Sequence, residues 1–487
     1  MVTSQALAIL ILSVNCISAF LLFKSNGQES LWKMNLNVKE ENQNANTDFE
    51  CSNGFCKFLN HTDGQGDALI LTPLIETGKI AQARNLSIVD PSHFAGVNSH
   101  AAYFTVNKTN KWHLFFWYFP AENVPLESTP LIIWLQGGPG SSSFFGLFEE
   151  IGPLQITNGK VERKPITWGS NYSLLFIDNP VGSGFSFTEN PNLYARDENT
   201  VGQSLLNFLQ QFLQVFSELR QAPLFIAGES YAGKYIPAFG YYIHHNKNDS
   251  MPINLKGLAI GNGWTDPPTL MHYSEFALQV GLLDPKQAAK VHQFEEDSRN
   301  CWNKRNMSCF TYNADRAYTT LIYNAPVSQY NYLKDASNKI NVTPFSDFLN
   351  KAQIQDLLHV KKMKYYPLNY VVYGNLYSDF YLTVKPWLEE LLEHYGVMCY
   401  SGQLDVIVAY ALAVHTYQSL KWSGQNAYLN ATRFPLVDEV DNSKIISFVK
   451  ASGNFMDVMV RGAGHMVPAD QPRAAKQVID MFIKKFK

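Results

Sequence analysis

The sequence predicts an α/β fold in which a largely parallel central sheet is flanked by helices. Short apolar segments with the length of buried strands alternate with longer segments of helical patterning, as is typical of parallel sheets with crossover helices. The segments that carry candidate catalytic side chains also follow the predicted strands directly, where ligands bind in such sheets. Strands are predicted at 131–135, 174–177, 224–227, 258–260, 397–400 and 455–460, and helices at 200–219 and 386–395.

The bulk composition argues against some classes of function. The 487 residues include 39 Lys and Arg against 42 Asp and Glu, a formal net charge of −3, without a basic run. A balanced charge of this kind predicts no nucleic-acid partner and no binding to an anionic membrane surface. The length suits one large domain or two smaller ones.

The N-terminal segment predicts entry into the secretory pathway. An apolar run from Ala6 to about Phe23 favours a signal peptide at residues 1–23 with an uncertain cleavage site, and a signal anchor is the alternative. The polar residues 24–67 predict a flexible leader or propeptide-like segment.

We expect the rest of the chain to form a first core part at 68–263, a mostly helical insertion or cap at 264–369, and a second core part at 370–487. After signal cleavage, no stable membrane span is expected.

Secretion sets expectations for the cysteines and for glycosylation. Once Cys16 leaves with the signal peptide, an odd number remains, so at least one thiol is free or paired between chains. The close pairs at 51/56 and 301/309 can pair locally, although the sequence does not fix the connectivity, and Cys399 is expected to be a buried thiol. N-glycosylation sequons occur at Asn60, Asn85, Asn107, Asn171, Asn248, Asn306, Asn341 and Asn430.

A nucleophile is predicted at Ser230, within the sequence GESYAGKY at residues 228–235. The segment joins an apolar strand to a predicted helix at 235–243, and a sharp strand-to-helix turn exposes a serine hydroxyl for attack. The small residues Gly228 and Ala232 permit this turn. The motif departs from G-x-S-x-G because Ala232 takes the last position. A turn without a catalytic role is the structural alternative.

Partners for Ser230 are predicted at two later strand ends. His465 follows the strand at 455–460 in the sequence GAGHMVP, and Asp405 follows the strand at 397–400 in SGQLD. Such a histidine takes the serine proton, and an aspartate fixes the tautomer of the imidazole. Taken singly, the histidine is more simply a polar surface or core residue and the aspartate a turn or cap residue. The chain order Ser, Asp, His is that of α/β-hydrolases, which refines the predicted fold.

Backbone N–H groups are predicted to form an oxyanion hole. One donor is Tyr231, which follows the nucleophile, and the other is expected in an earlier loop after a strand. The sequence WLQGGPG at 134–140 provides that loop, and a tight Gly-Pro turn is its alternative.

Taken together, the motifs WLQGGPG, DNPVGSGFSF, GESYAGKY, SGQLD and GAGHMVPADQP resemble the serine carboxypeptidases of the α/β-hydrolase fold. The resemblance covers the chain from about residue 69 onward and is closest to the vitellogenic-like branch. It implies release of one amino acid from a peptide or protein C-terminus at acidic pH, through an acyl-enzyme and without a cofactor or metal. The implied site residues are Ser230, Asp405 and His465 for catalysis, Gly138 and Tyr231 for the oxyanion, and Trp134, Gln136, Gly137, Glu150 and Glu229 for the substrate carboxylate.

The implied pair of glutamates has a physical rationale. Two ionised glutamates would repel a substrate carboxylate, whereas neighbouring acids raise one another's pKa and donate hydrogen bonds while protonated. Substrate binding should therefore weaken as the pH rises through neutrality. An ordinary exposed acid is the alternative for Glu150, and the adjacent Glu149 competes for the assignment.

The sequence departs from the usual family pattern at two positions. Gln136 stands where many members have Asn, which shifts the carboxylate-binding donor by one methylene and is expected to alter affinity or residue preference. Ser141 stands where many members have Cys, which removes a disulfide partner. Phe144, Phe145 and Met466 are expected to line the specificity pocket, which favours a bulky apolar C-terminal residue.

Other functions compete with this interpretation. A zinc carboxypeptidase would use His292 and Glu295, but no third ligand accompanies them, so no metal is expected. An esterase or acyltransferase would use the same triad, and a protective or scaffolding protein that keeps the fold is the non-enzymatic alternative.

The expected compartment is the secretory pathway, with the protein secreted or held in a lysosomal or yolk-type acidic compartment. Peptide C-termini are the expected partners, and a homodimer is left open.

Overall fold

The computed structural model describes residues 68–122, 124–190, 192–246, 251–338 and 340–487, together with short strands before residue 61. These strands form antiparallel pairs: β1 (Ala8–Ile9) with β2 (Phe20–Leu21), β3 (Lys24–Ser25) with β4 (Gln28–Glu29), and β5 (Phe49–Ser52) with β6 (Phe55–Phe58). Apart from these strands, the predicted signal peptide and leader lie outside the described residues. The chain divides into two compact units, at 1–60 with 337–341 and at 61–336 with 342–487, and all further elements belong to the second.

A sheet of twelve strands organises the second unit, and two separate hairpins accompany it. The strands are β7 (Ile88–Val89), β8 (Ser99–Asn107), β9 (Trp112–Phe119), β10 (Leu131–Leu135), β11 (Leu154–Thr157), β12 (Lys160–Arg163), β13 (Ser173–Ile177), β14 (Phe187–Thr188), β15 (Leu224–Glu229), β16 (Leu255–Gly261), β17 (Val327–Ser328), β18 (Asn331–Asp335), β19 (Gly396–Gly402), β20 (Phe434–Val437), β21 (Ile445–Ser452) and β22 (Phe455–Val460). The centre is parallel, in the order β13–β10–β15–β16–β19–β22. Antiparallel strands extend it at both sides.

Helices connect the strands and cover the sheet. They are α1 (Thr72–Glu76), α2 (Ile80–Leu86), α3 (Glu198–Val215), α4 (Ala232–His244), α5 (Pro267–Leu270), α6 (Tyr273–Gln279), α7 (Pro285–Asn303), α8 (Met307–Asn324), α9 (Thr343–Leu349), α10 (Ala352–Leu357), α11 (Tyr370–Phe380), α12 (Lys385–Leu392), α13 (Tyr410–Ser419), α14 (Gln425–Asn430), α15 (Val467–Asp470) and α16 (Pro472–Phe486). Short 3₁₀ turns lie at Pro91–His93, Trp168–Ser170 and Ser217–Arg220, and a π-helix at Gly146–Glu150. None of the helices in the described ranges is long and apolar enough to cross a membrane.

Alternate side chains of the parallel strands pack into cores on opposite faces of the sheet. In β10, Ile133 belongs to a core that includes Phe239 of α4, whereas Trp134 belongs to a core that includes Phe482 of α16. Strands that are buried on both faces read as continuous apolar runs, which is why the central strands were predictable.

The α/β-hydrolase fold predicted from the sequence is confirmed, with corrections to individual elements. Strands β10 and β22 have the predicted bounds, while β13, β15, β16 and β19 extend further at one or both ends. The predicted helix at 200–219 ends at Val215 and is followed by a 3₁₀ turn, and the helix predicted at 386–395 spans Lys385–Leu392. The antiparallel strands β7–β9, β14, β20 and β21 were not predicted.

The segment at 264–369 contains helices α5 to α10 and the β17–β18 hairpin. Asp284 begins α7 with a capping box, in which its side chain accepts from Gln287 N and the Gln287 side chain accepts from Asp284 N. A disulfide between Cys301 and Cys309 joins α7 to α8. The limits of the insertion, at residues 264 and 369, are still a prediction.

Candidate active site

The register of the parallel strands brings the predicted site residues to one edge of the sheet. Glu229 at the end of β15 pairs with Gly261 of β16, which pairs in turn with Tyr400 of β19. Gly402, two residues further along β19, pairs with Val460 at the end of β22. The loops that carry Ser230, Asp405 and His465 therefore begin side by side.

Ser230 lies at a sharp turn between β15 and α4. Its φ of +61° is in the left-handed region, which is unusual for a residue with a side chain. The turn is fixed because Ser230 N donates to Gly261 O and Ser230 O accepts from Gly233 N and Trp264 N, each at 2.9 Å. The serine stays partly exposed, so the backbone holds a hydroxyl group at the edge of the sheet.

His465 and Asp405 form a buried hydrogen-bonded pair. His465 Nδ1 lies 2.8 Å from Asp405 Oδ2, and the two side chains are 2% and 0% exposed. Because a carboxylate accepts hydrogen bonds, Nδ1 carries the proton and Nε2 is the basic nitrogen of the ring. That Nε2 atom is buried without a hydrogen-bond partner among the described residues. The main chain of His465 is anchored by its N–H, which donates to Tyr330 O at 2.7 Å.

Asn262, which the sequence analysis missed, holds the Asp405 carboxylate. Its Nδ2 donates to Asp405 Oδ2 at 2.6 Å, and its Oδ1 accepts from Gly402 N at 3.2 Å. The backbone N–H groups of Ile407 and Val408 donate to the same carboxylate. Asn262 is fully buried with a φ of +41°. A carboxylate that accepts these three hydrogen bonds is fixed in orientation.

The pKa of His465 is raised above its usual value. Burial acts to lower it, but the charge of Asp405, the hydrogen bond to Asp405 and the charge of Glu229 together outweigh burial. The imidazole is therefore a stronger base than a free histidine, as proton abstraction from a serine requires.

The glycine loop after β10 lies directly against the serine turn. A Cβ atom on Gly137 would be 2.5 Å from Tyr231 N and 2.8 Å from Ser230 Cβ, so no larger residue fits there. Gly138 follows with a φ of +110°. The two predicted oxyanion donors, at Tyr231 and Gly138, thus belong to two loops in contact.

A chain of hydrogen bonds runs from Trp134 to Glu229. Trp134 Nε1 donates to Gln136 Oε1 at 2.9 Å, and Gln136 Nε2 donates to Glu229 Oε1 at 2.6 Å. Gly146 provides room for the indole, because a Cβ atom there would lie 2.1 Å from Trp134 Nε1. The amide of Gln136 is therefore held in one orientation.

Glu150 and Glu229 are both 1% exposed, and their carboxyl groups interact. The pKa of each is raised, in both cases chiefly by burial, and the charge of Glu229 raises that of Glu150 further. When both are ionised, no described residue donates to Glu150 Oε1, Glu150 Oε2 or Glu229 Oε2. A proton on one glutamate allows a hydrogen bond between them. Glu149 is only partly buried, which favours Glu150 as the partner of Glu229.

The three predicted pocket residues differ in exposure. Phe144 is fully buried, edge-on to Trp117 at 5.6 Å and stacked on Tyr365 at 6.2 Å. Phe145 and Met466 keep part of their surface exposed. In this structure Phe144 supports the aromatic core instead of offering a surface to a ligand.

The remaining predicted positions are also placed. Cys399 is free and buried, as expected. Ser141 pairs with Leu368 in an isolated antiparallel bridge. His292 is exposed on α7, while the buried carboxylate of Glu295 accepts hydrogen bonds from Ser274 N at 2.8 Å and Ser274 Oγ at 2.6 Å, which is a structural role.

The glycosylation sequons are mostly at the surface. The asparagines at 85, 171, 306, 341 and 430 are exposed, and Asn107 is half-buried. Asn60 and Asn248 lie outside the described residues.

The chain is similar to known proteins in sequence and in structure. Residues 91–485 match the family Peptidase_S10, described as serine carboxypeptidase. The chain is 38% identical to vitellogenic carboxypeptidase of Aedes aegypti over 86% of this chain and 90% of that protein. It is 37% identical to probable serine carboxypeptidase CPVL of Homo sapiens, again over 86% of this chain and 90% of that protein. The crystal structure of Kex1(delta)p, a prohormone-processing carboxypeptidase from Saccharomyces cerevisiae, matches with a TM-score of 0.74 at 26% identity, covering 82% of this chain and 96% of that one.

Proposed function

The chain belongs to the serine carboxypeptidase family, and we propose that it releases one bulky apolar residue from a peptide C-terminus through an acyl-enzyme, with substrate binding favoured at acidic pH. That it is a serine-type carboxypeptidase follows from the family; the residue preference, the acyl-enzyme and the pH dependence are the proposal. The observation that carries it is the buried Glu150–Glu229 pair, one member of which acts electrostatically on His465.

In the proposed mechanism, Ser230 Oγ attacks the carbonyl carbon of the terminal peptide bond while His465 Nε2 takes the serine proton. The imidazolium then protonates the leaving amino acid, and the acyl group stays on the serine. Water, activated by the same imidazole, releases the shortened peptide and restores the enzyme. The 2.8 Å bond from His465 to Asp405 supports this assignment because it leaves Nε2 as the acceptor.

The tetrahedral intermediates carry a negative oxygen, which we assign to the backbone N–H groups of Tyr231 and Gly138. The close approach of Gly137 to Tyr231 N supports this assignment. Fixed donors of this kind need no reorganisation when charge develops, which is the main source of their effect.

We assign recognition of the substrate carboxylate to Glu150, Glu229, Gln136, Trp134 and Gly137. A protonated glutamate and the oriented amide of Gln136 both donate hydrogen bonds to a carboxylate. The raised pKa values of the two glutamates keep a proton on the pair at pH values where an ordinary carboxyl group is ionised. As the pH rises, the second ionisation adds a negative charge opposite the substrate and binding is lost.

The preference for a bulky apolar residue rests on Phe145 and Met466, whose side chains are partly exposed. Phe144 would support the pocket from behind. A secretory location is part of the proposal as well, since five sequon asparagines are exposed and the relatives include a vitellogenic carboxypeptidase.

Kinetics on blocked dipeptides that differ only in the C-terminal residue test the proposal. We expect kcat/KM to be highest for Phe and Leu and to be lower for Ala, Lys and Glu. Rapid-quench kinetics with an ester of the same acyl group should give a burst of alcohol equal to the enzyme concentration if the acyl-enzyme accumulates. A preference for Lys or Ala would contradict the assigned pocket. Turnover of the ester without detectable release of an amino acid from any peptide with a free carboxylate, at every pH, would favour an esterase.

A further inference from the structure

A cluster of imidazole and carboxylate groups lies at the adjoining ends of α4 and α12, on elements that carry no catalytic side chain at this end. His244 is the last residue of α4, His245 is its C-cap, and Glu390 lies near the end of α12. One ligand atom from each of the three residues lies within 4.8 Å of the other two. His245 Nε2 is 2.8 Å and His244 Nε2 is 3.9 Å from the same carboxylate oxygen of Glu390.

We propose that His244, His245 and Glu390 bind a zinc ion. Imidazole nitrogen and carboxylate oxygen are ligands that zinc accepts, at about 2.0–2.2 Å in a tetrahedral arrangement. Such bonds separate neighbouring ligand atoms by roughly 3.3–3.5 Å. The two distances to Glu390 lie on either side of that separation, so small side-chain movements bring all three atoms to an ion. Three protein ligands leave one position for water.

Surrounding side chains hold both imidazoles in place. The Tyr395 hydroxyl forms a 3.1 Å hydrogen bond with His244 Nδ1, which leaves Nε2 for the ion. A hydrogen bond on the far nitrogen is the usual second contact of a zinc-binding histidine. His394 stacks on His244 at 4.4 Å, and Tyr241 packs on the ring of His245 at 4.4 Å. The site is thus oriented before an ion arrives.

The electrostatic surroundings favour a cation. The ends of α4 and α12 are both helix C-termini, where the aligned peptide dipoles place partial negative charge. The side chains of His244, His245 and Glu390 are 22%, 46% and 39% exposed, and an ion can therefore enter from solvent.

A zinc ion at this position would join two helices that are distant in sequence. Helix α4 begins directly after the serine turn, and Tyr241 of α4 already stacks on Trp387 of α12 at 5.3 Å. The ion adds a link at the opposite end of α4 from Ser230, so it stabilises the helix without contacting the site.

The test is a zinc titration of the untagged full chain by calorimetry at pH 7.5, after dialysis against a chelator. We expect one zinc ion per chain and a rise in melting temperature on addition of zinc. Glu390→Gln and His244→Ala should each abolish that binding, and Tyr395→Phe should weaken it about 10–100-fold. Melting curves without zinc establish that each variant is folded.

His415→Ala is the matched control. His415 forms a second cluster with His272 and Glu275, but its ring stacks face to face on that of His272 at 3.6 Å and 9°, so their in-plane lone pairs run parallel and do not converge. Zinc binding should be unchanged in this variant. Failure of the folded wild type to take up zinc overturns the proposal, as does equal binding in Glu390→Gln or loss of binding in His415→Ala.

Discussion

Gln136 Nε2 donates a 2.6 Å hydrogen bond to Oε1 of Glu229 and so connects the glycine loop after β10 to the strand that ends at the serine turn. The indole of Trp134 holds the other end of the same amide. The amide of Gln136 thus reaches the buried glutamate directly. We infer that Gln136 contributes to the recognition of the substrate carboxylate through this contact.

Replacing Gln136 by Met keeps the length of the side chain and removes the amide. We expect KM for a substrate with a free carboxylate to rise about tenfold, since a hydrogen bond to a charged group contributes about 1.5 kcal/mol or more. The kcat should change little, because the amide does not contact the reacting atoms. Steady-state kinetics on a blocked dipeptide and on its C-terminal amide measure both effects. Equal losses on the two substrates would contradict the assignment.

Glu150→Gln removes one ionisable group from the buried pair and keeps a hydrogen-bond donor. In the wild type, rising pH removes the proton shared by the pair, so KM should increase through neutrality. At high pH the pair of side chains at 150 and 229 carries at most one negative charge in the variant and two in the wild type. The ratio of KM at pH 8 to KM at pH 6 should therefore be smaller in the variant, with Glu149→Gln as the matched control. If Glu149→Gln reduced this ratio of KM values as much as Glu150→Gln does, the pH dependence of binding would not be specific to Glu150.

The kcat should decrease as the pH falls through the pKa of His465, because a protonated imidazole does not accept the serine proton. The charge of Glu229 is one of the causes that raise this pKa. Glu229→Gln should thus move the acidic limb of the kcat profile to lower pH. Single-turnover rates at saturating substrate separate this shift from the change in KM. If the acidic limb of the kcat profile were at the same pH in Glu229→Gln as in the wild type, Glu229 would have no effect on the pKa of His465.

Asn262→Gly tests the support of Asp405. Glycine tolerates the positive φ at this position, so the variant removes the amide with little backbone strain. Loss of the 2.6 Å bond to Asp405 should reduce kcat about 10–100-fold, equivalent to about 1.5–3 kcal/mol, with little change in KM. An unchanged kcat accompanied by a lower melting temperature would mean that Asn262 only stabilises the fold.

The comparison of sequence and structure shows which features have a local signal. Strands β10 and β22 were predicted with their observed bounds because both of their faces are buried and every residue except Asp457 of β22 is apolar. The fully buried strand β9 (Trp112–Phe119) has a comparable run, interrupted only by His113, and was not predicted. Ser230 and His465 were identifiable because glycines mark their turns.

Other parts of the site depend on contacts that no motif records. Asn262 reaches Asp405 across more than a hundred residues of chain, and an asparagine after a strand is otherwise unremarkable in sequence. Glu149 and Glu150 are adjacent and chemically identical, so only the π-helix that turns Glu150 inward distinguishes them. The burial of Phe144 likewise follows from packing against Trp117 and Tyr365, which lie far apart in sequence.

The central claim is that Ser230 catalyses release of a C-terminal residue whose free carboxylate is recognised by the glutamate pair. The most direct measurement is the release of free Phe or Leu from a blocked dipeptide between pH 4 and 8, by wild type and Ser230→Ala, with the C-terminal amide as control. We predict that Ser230→Ala loses about 10⁴-fold or more in rate. We also predict that the advantage of the free carboxylate over the amide is largest in acid and declines as the pH rises. Equal rates on both substrates at every pH, or full activity in Ser230→Ala, would contradict the claim.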